Sequence, residues 1–351
     1  MKKILCVVGN RPQFIKHAPT HLSLSKYCIV STLHTGQHSD AQMSKVFFEQ
    51  LNLPKPDYFL ELSKGLTQGE QTAKMLVFVE KILSQNRVDA VLVYGDTNST
   101  LAATLAAAKL NLPIAHIEAG MRSFNKSMPE EQNRIIADHL SIWRFCNDKY
   151  AIQLLENEGL TDNNFLVGDV MYDALQMVKP NLKRLFQGKY YFATLHRPYN
   201  VDEKFRLSQL LDILNKLELR VVLALHPRTK QKMEDFQLLK SNYPNVYFIE
   251  PQGYTENLSY QLYAEHVITD SGGMQKEAYW LERPCTTIRS ETEWTETLKN
   301  SCNQLVFNDL ENLQQILYRN IGEFDNSLGE NGKAADKIAQ LLVILLKKSK
   351  L

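Results

Sequence analysis

No glycine fingerprint of the GxGxxG type occurs in the 351 residues, so a tightly held nicotinamide cofactor is not expected. The five cysteines (Cys6, Cys28, Cys146, Cys285 and Cys302) are scattered, odd in number and without CxxC spacing. Neither a disulfide framework nor a zinc knuckle fits them. Cys6, Cys28 and Cys285 lie in strand-like runs and read as buried thiols. HExxH is missing as well, and no other tight His/Asp spacing of metal-site type appears, so no metal is expected. Neither sign of charge dominates, with 40 Lys and Arg against 39 Asp and Glu. That balance speaks against nucleic acid or a membrane surface as partner, while leaving room for a local basic site for a small anion. Long apolar runs are also lacking. The opening "MKKILCVVGNRPQF" has too short an apolar run before Gly9 for a signal-peptide core, and nothing approaches a membrane span. A reducing cytoplasm is the expected location.

What is present is alternation. Short apolar runs ("KILCVVG", "CIVSTLH", "VDAVLVYG", "LPIAHIE", "IWRFCN", "YYFATLH", "LRVVLALH", "NVYFIE", "HVITD", "RPCTTIR") are separated mostly by segments of helical length and spacing. Buried parallel strands interleaved with helices imply an α/β doubly wound architecture. The length suits two domains. The stretch "MVKPNLKRLFQGKYY" carries Pro180, Gly188 and several lysines and marks a boundary within 178–190. The expectation is an N-terminal Rossmann-like domain over 1–178, a second over 179–330, and a final helix over 331–351. That helix has an apolar face of Ile338, Leu341, Leu342 and Leu345, and a basic end suited to a helix C-terminus. Its destination is not legible, although such helices often cross back to the first domain.

Open α/β sheets bind ligands beyond the carboxyl ends of their strands. The unusual residues here cluster at such ends: Asn10–Arg11, Gln37–His38, Asp96, Glu118, His196–Arg197, His226 and Asp270–Ser271. Their coincidence marks a cleft between the two domains. In "GNRPQFIKHAP", Gly9 permits a tight turn and Pro12 opens a helix. Arg11 opposes that helix dipole, so it invites an anion, with Lys16 a turn further on. An exposed Arg and Lys on a first helix is the plain alternative.

"ITDSGGMQKEA" is the sharpest phosphate signal. A strand ends at Asp270, and Ser271, Gly272 and Gly273 lead into a helix whose free N–H groups suit a diphosphate. Glu277, about a turn on, suits ribose hydroxyls. An ordinary serine N-cap explains the same letters. "ATLHRPYN" and "ALHPRTK" place His196–Arg197 and His226–Arg228 at two more strand ends, a cationic wall.

Opposite these stand the acids. Asp96 follows "VLVYG", Glu118 follows "PIAHI", and Glu130 lies in "NKSMPEEQNRIIADH". Asp96, Thr97 or Ser99 can cap the next helix, and Glu131 can serve the helix dipole without Glu130. Taken together, the three acids read as a proton-transfer set.

"GNRPQFIK", "TGQH", "YGDTNST", "HIEAGMRS", "MPEEQNR", "VGDVMYD", "HR" and "TDSGG.Q.EA" follow one another in an order that resembles the non-hydrolysing UDP-N-acetylglucosamine 2-epimerases, over roughly residues 1–310. The resemblance implies the two-domain GT-B fold, no cofactor, a UDP-sugar partner and a homodimer. It also implies roles. Arg11, His196, Ser271, Gly272 and Gly273 surround the diphosphate, and Glu277 meets the ribose. Asp96, Glu118 and Glu130 handle protons. Gln37 and His38 match part of a second, activating UDP-sugar site.

Two segments depart from the commoner family pattern: "HRPYN" stands in place of "HRRE", and "SETEWTETL" in place of "TTERPE". "LHPRT" and "ETEW" look more like the branch acting on UDP-2,3-diacetamido-glucuronate. Its extra carboxylate needs a cation, for which Arg228 and Arg289 are candidates. Rival readings are a GT-B glycosyltransferase, a hydrolysing 2-epimerase and a silent nucleotide-sugar binder. The binder has no need of three strand-end acids.

Overall fold

The structure is a computed structural model and describes residues 1–37, 48–63, 65–325 and 332–348. In it the chain forms two compact units, one of Met1–Met177 with Gly329–Leu351 and one of Val178–Leu328.

Unit one opens with β1 (Lys3–Val8), α1 (Arg11–Leu24), β2 (Ile29–His34) and β3 (Tyr58–Phe59). It continues with α2 (Gln68–Gln85), β4 (Ala90–Tyr94), α3 (Asn98–Lys109), β5 (Ile114–Ala119) and α4 (Pro129–Leu140). β6 (Trp143–Cys146), α5 (Lys149–Asn157), β7 (Asn164–Leu166) and α6 (Val170–Val178) complete its first stretch. The sheet order is β3-β2-β1-β4-β5-β6-β7, and every pairing is parallel. The order runs outward in both directions from β1, so helices cover both faces and the central strands read as unbroken apolar runs.

Unit two repeats the plan. It holds α7 (Pro198–Val201), α8 (Lys204–Lys216), α9 (Pro227–Asp235), α10 (Tyr254–Tyr263), α11 (Gly272–Trp280) and α12 (Leu313–Leu317). Its strands are β8 (Tyr190–Leu195), β9 (Arg220–Leu225), β10 (Val246–Ile249), β11 (His266–Thr269), β12 (Cys285–Thr287) and β13 (Asn303–Leu305). They form an all-parallel sheet ordered β10-β9-β8-β11-β12-β13. Both units are thus Rossmann-like.

The strands absent from the sequence reading are β3, β7 and β13, of 2, 3 and 3 residues. Each is an outer strand of its sheet. Short edge strands need no apolar run, because only part of their surface is covered.

The last helix, α13 (Ala334–Lys348), packs in unit one. Ser23 Oγ on α1 donates to Asp336 at 2.7 Å, and Asp173 on α6 accepts from the Ala335 amide at 2.7 Å. Ala335, Ile338, Ala339, Leu342 and Leu346 are its buried face. Leu341 and Leu345, expected on that face, are only half-buried. The small alanines let α13 approach its neighbours closely, which turns the contact stripe by part of a turn.

All five cysteines are free and buried. Burial pushes the Cys6, Cys146 and Cys285 thiols up to about 12, which makes them inert packing. Among the described residues no helix is long and apolar enough to cross a membrane.

Candidate functional site

In unit one the start of α1 is assembled by polar side chains. Asn10 caps it by accepting from the Gln13 amide at 3.2 Å. Gln13 in turn accepts from the Gly9 amide at 2.7 Å and donates to the Tyr94 carbonyl at 2.8 Å. One buried glutamine therefore ties the ends of β1 and β4 together. His17 lies behind it, between Tyr94 Oη at 2.8 Å and Thr32 Oγ1 at 2.9 Å. Burial, reinforced by His21, pushes its pKa down to about 3, so it serves as neutral packing. Arg11 is half-buried at the first position of α1.

Gly95 has φ +58, and a Cβ placed there would lie 3.3 Å from Lys16 Nζ and 3.9 Å from Glu118 Oε1. The missing side chain thus leaves room for an ion pair between Lys16 and Glu118, whose side chains are 10% and 12% exposed. Glu118 has φ +69 in β5, where the register against β6 shifts between Ile117 and Ala119. A bulge that turns a non-glycine residue left-handed re-aims its side chain, and such strain gathers at working sites. Burial pushes the Lys16 pKa down, but the charge and hydrogen bond of Glu118, helped by Asp96 and Asp169, outweigh it and hold the ammonium above its ordinary value.

Asp96 pairs with Arg134 of α4. Burial pushes the Asp96 carboxyl up, Arg134 pulls it down, and Glu118 and Glu130 push it up again, leaving it raised. A carboxyl lifted by burial and like charge is poised for proton exchange. Asp96 does not cap α3; Thr97 does, accepting from the Thr100 amide at 3.3 Å. Asn133 instead holds the Asp96 carbonyl at 2.9 Å.

Glu130 is exposed at the start of α4, whereas Glu131 is buried. Glu131 accepts from the Ser123 and Phe124 amides at 2.8 and 2.9 Å. The two adjacent acids are divided, one structural and one facing the Asp96 cluster. Gln37 accepts from the Ser99 amide and hydroxyl at 3.0 and 2.6 Å. His38 lies outside the described residues.

In unit two the centre is Asp270, fully buried at the end of β11. It accepts from the His196 and Arg197 amides at 3.0 and 2.9 Å and from Asn200 at 3.1 Å. His196 Nδ1 lies 2.9 Å from its Oδ1. Burial pushes Asp270 up, but the His196 hydrogen bond and charge, with the Arg197 amide and Asn200, hold it below the usual carboxylate range. The His196 ring stands 5.1 Å from that of His226, centroid to centroid. Arg228 is exposed and ion-paired with Asp202.

Ser271 caps α11. Among the described residues nothing lies within 4 Å of a Cβ placed on Gly273, so the backbone there is open to a ligand. At Gly272 the same Cβ would meet Glu293 Oε1 at 2.6 Å, Trp294 Nε1 at 3.4 Å and Arg289 Nη1 at 3.6 Å. Arg289 binds Glu293 at 3.0 Å, while its Nη1 and the Trp294 indole N–H are buried without partners among the described residues. Lys276 Nζ sits 3.8 Å over the Trp294 ring. Glu277 is buried and accepts from Gln261 at 2.9 Å. The start of α11 is therefore a donor-rich end that suits anionic oxygens.

The sequence reading gave a role to one side of these pairs and none to the other, although Asp270 was named as a strand end. Arg134 stands in the quoted "MPEEQNR", four residues after Glu130. Asp270 precedes Ser271 in "TDSGG", and Asp169 stands in "VGDVMYD". Their signal was position beside a named residue.

The family described as UDP-N-acetylglucosamine 2-epimerase matches residues 22–343. A UDP-2,3-diacetamido-2,3-dideoxy-D-glucuronate 2-epimerase of Pseudomonas aeruginosa is 42% identical, over 98% of this chain and 100% of that protein. A UDP-N-acetylglucosamine 2-epimerase of Methanocaldococcus jannaschii is 40% identical, over 97% and 98%. A crystal structure of the Methanocaldococcus jannaschii UDP-GlcNAc 2-epimerase with UDP-GlcNAc and UDP superposes with a TM-score of 0.84 at 38% identity, covering 97% of this chain and 99% of that one.

Proposed function

The chain belongs to the UDP-N-acetylglucosamine 2-epimerase family, and on that premise we propose that it inverts C2 of a UDP-2-acetamido sugar by eliminating UDP and adding it back. The C2 hydrogen lies beside no carbonyl, so direct abstraction has no stabilised anion. Breaking the C1–O bond, with the electron pair leaving on the phosphate oxygen, makes C1 cation-like and the C2 proton acidic. A carboxylate takes that proton and a glycal forms. A proton delivered to the opposite face of C2, with UDP oxygen returning to C1, gives the epimer. The balance closes without oxidant or metal.

One observation carries the reading: buried Asp96 beyond β4, ion-paired with Arg134, lies within electrostatic reach of the Lys16–Glu118 pair between α1 and β5 and of Glu130 at the start of α4. A set of acids in mutual electrostatic contact suits two proton transfers on opposite faces. Arg11, His196 and the Ser271–Gly272–Gly273 helix start receive the departing diphosphate. Arg197 and His226 add to that wall, and Glu277 takes the ribose. Gln37 and His38 belong to a second UDP-sugar site.

The Pseudomonas aeruginosa relative favours the diacetamido uronate and the Methanocaldococcus jannaschii relative favours UDP-N-acetylglucosamine. The unpaired Nη1 of Arg289 supports the uronate, whose carboxylate it suits better than the exposed Arg228 does. The family resemblance supports a homodimer, which sedimentation tests. The buried free thiols suit a reducing cytoplasm. Each substrate incubated in heavy water and followed by NMR tests the chemistry. Deuterium at C2 with the manno product is the expected result. Release of free sugar identifies a hydrolase, and no exchange with either substrate refutes the reading.

A further inference from the structure

Behind the acids of unit one lies a buried network that the reaction above does not use directly. His116 of β5 and Asp138 of α4 are both 0% exposed. His116 Nδ1 lies 2.7 Å from Asp138 Oδ1, and its Nε2 lies 2.7 Å from the Gly95 carbonyl. Asp138 Oδ2 accepts from the Gly120 amide at 3.1 Å and from Arg122 at 2.6 Å. Arg122 grips Glu158 with two further bonds, at 2.6 and 2.8 Å.

A carbonyl oxygen only accepts, and an ionised carboxylate only accepts. Asp138 is ionised: burial pushes its carboxyl up, but the charges and hydrogen bonds of His116 and Arg122 hold it below its ordinary value. Both nitrogens of His116 therefore face acceptors, and both must carry hydrogen. The charges also balance, with His116 and Arg122 against Asp138 and Glu158. Other ionisable groups stand close to this set: Arg144, whose Nη1 donates to the Asp138 carbonyl at 3.1 Å, His139, whose Nε2 lies 3.1 Å from Glu158 Oε2, and the Cys146 thiol, which burial pushes up to about 12.

The two backbone groups held by this pair are placed for a purpose. Gly95 immediately precedes Asp96, and Gly120 stands two residues beyond Glu118. The Gly95 amide also donates to the Ile117 carbonyl at 2.9 Å. Gly120, at φ +82, has no room for a side chain, since a Cβ would lie 2.4 Å from the Ala151 carbonyl oxygen. We propose that His116 carries hydrogen on both ring nitrogens and, with Asp138, acts as a positioning residue for the reaction, clamping the backbone at Gly95 and Gly120 and so fixing the spacing of Asp96 and Glu118. The assignment rests on the epimerase reading only for its functional consequence, because the charge state follows from the two facing acceptors and the ionised Asp138.

Nitrogen-15 NMR of the histidine rings in the unaltered protein at neutral pH tests the clamp directly. Hydrogen on both His116 nitrogens is expected, and hydrogen on one alone overturns the proposal. Asp138→Asn removes the charge that holds the imidazolium, leaving one ring N–H for two acceptors. Its kcat is expected to fall about 10- to 100-fold, the scale of a misplacement near 1 Å. KM and the affinity for UDP should change less than about two-fold, because the substitution touches neither unit two nor Arg11. A folded Asp138→Asn protein with unchanged kcat, or one that loses UDP affinity in step with kcat, refutes the positioning role. Should that variant not fold, the ring spectrum of the unaltered protein still decides. Should the unaltered protein fail to exchange C2, the reaction falls while the spectrum judges the clamp.

Discussion

The Lys16–Glu118 pair offers the sharpest quantitative test. Its side chains are 10% and 12% exposed, so each charge depends on the other for what water would supply. Removing one partner of a buried pair strands the other and costs about 3–5 kcal/mol, while replacing both is often near neutral. Lys16→Met and Glu118→Gln should each destabilise unit one by about 3 kcal/mol, and the double variant by no more than either alone. The cycle then closes with a coupling of about 3 kcal/mol. Urea titration read through hydrogen exchange of α1 and β5 peptides isolates unit one from unit two. Lys16 stands above its ordinary value of 10.5 in the folded protein. A group with a raised folded pKa contributes fully below its unfolded pKa and loses that contribution as pH climbs through the folded one. The coupling should therefore be equal at pH 7 and pH 9 and shrink only above about 10.5. Additive single variants, with a coupling under about 0.5 kcal/mol, would refute the buried pair.

Four further outcomes follow from the structure. Asp96→Asn should cut turnover about 10²- to 10⁴-fold without lowering the melting temperature at pH 7. The raised folded pKa of Asp96 contributes stability only at acid pH and loses it as pH rises, so the charged form is already a burden at neutrality; calorimetry beside turnover checks both signs. Gly272→Ala should weaken UDP binding at least about ten-fold, roughly 1.4 kcal/mol, with little loss of fold, since the added carbon meets the movable end of Glu293. Gly120→Ala meets backbone instead and should cost at least about 1–3 kcal/mol of stability. Glu293→Gln frees Arg289 from a partly exposed partner and should tighten binding of the UDP-diacetamido uronate, but not of UDP, about two- to five-fold by titration calorimetry, matching the ~0.2–1 kcal/mol of such a pair.

The alternation of apolar runs and helical segments made the doubly wound plan legible, because parallel central strands are buried on both faces. β3, β7 and β13 were not, since an edge of two or three residues leaves no apolar signature. At the site, strand-end position exposed Asp96, Glu118, His196 and Ser271. Their pairings stayed hidden for a different reason. Arg134 reaches Asp96 across 38 residues, and Asp270 reaches His196 across 74. Such pairings exist only once the strands are laid side by side. His116 was hidden more thoroughly, because a histidine inside "PIAHIEAG" reads as ordinary strand interior, and only its two facing acceptors give it a charge.

The return of α13 to unit one sets an order of events on the ribosome. Val178–Leu328 is one continuous stretch and can mature as soon as it leaves the exit tunnel. Unit one, though translated earlier, stays bare where Asp336 meets Ser23 and where Ala335 meets Asp173 until the codons of α13 are read. The half made earliest is thus finished last, and a nascent chain stalled before residue 334 should present its α1 surface to chaperones while the later-made sheet is already complete.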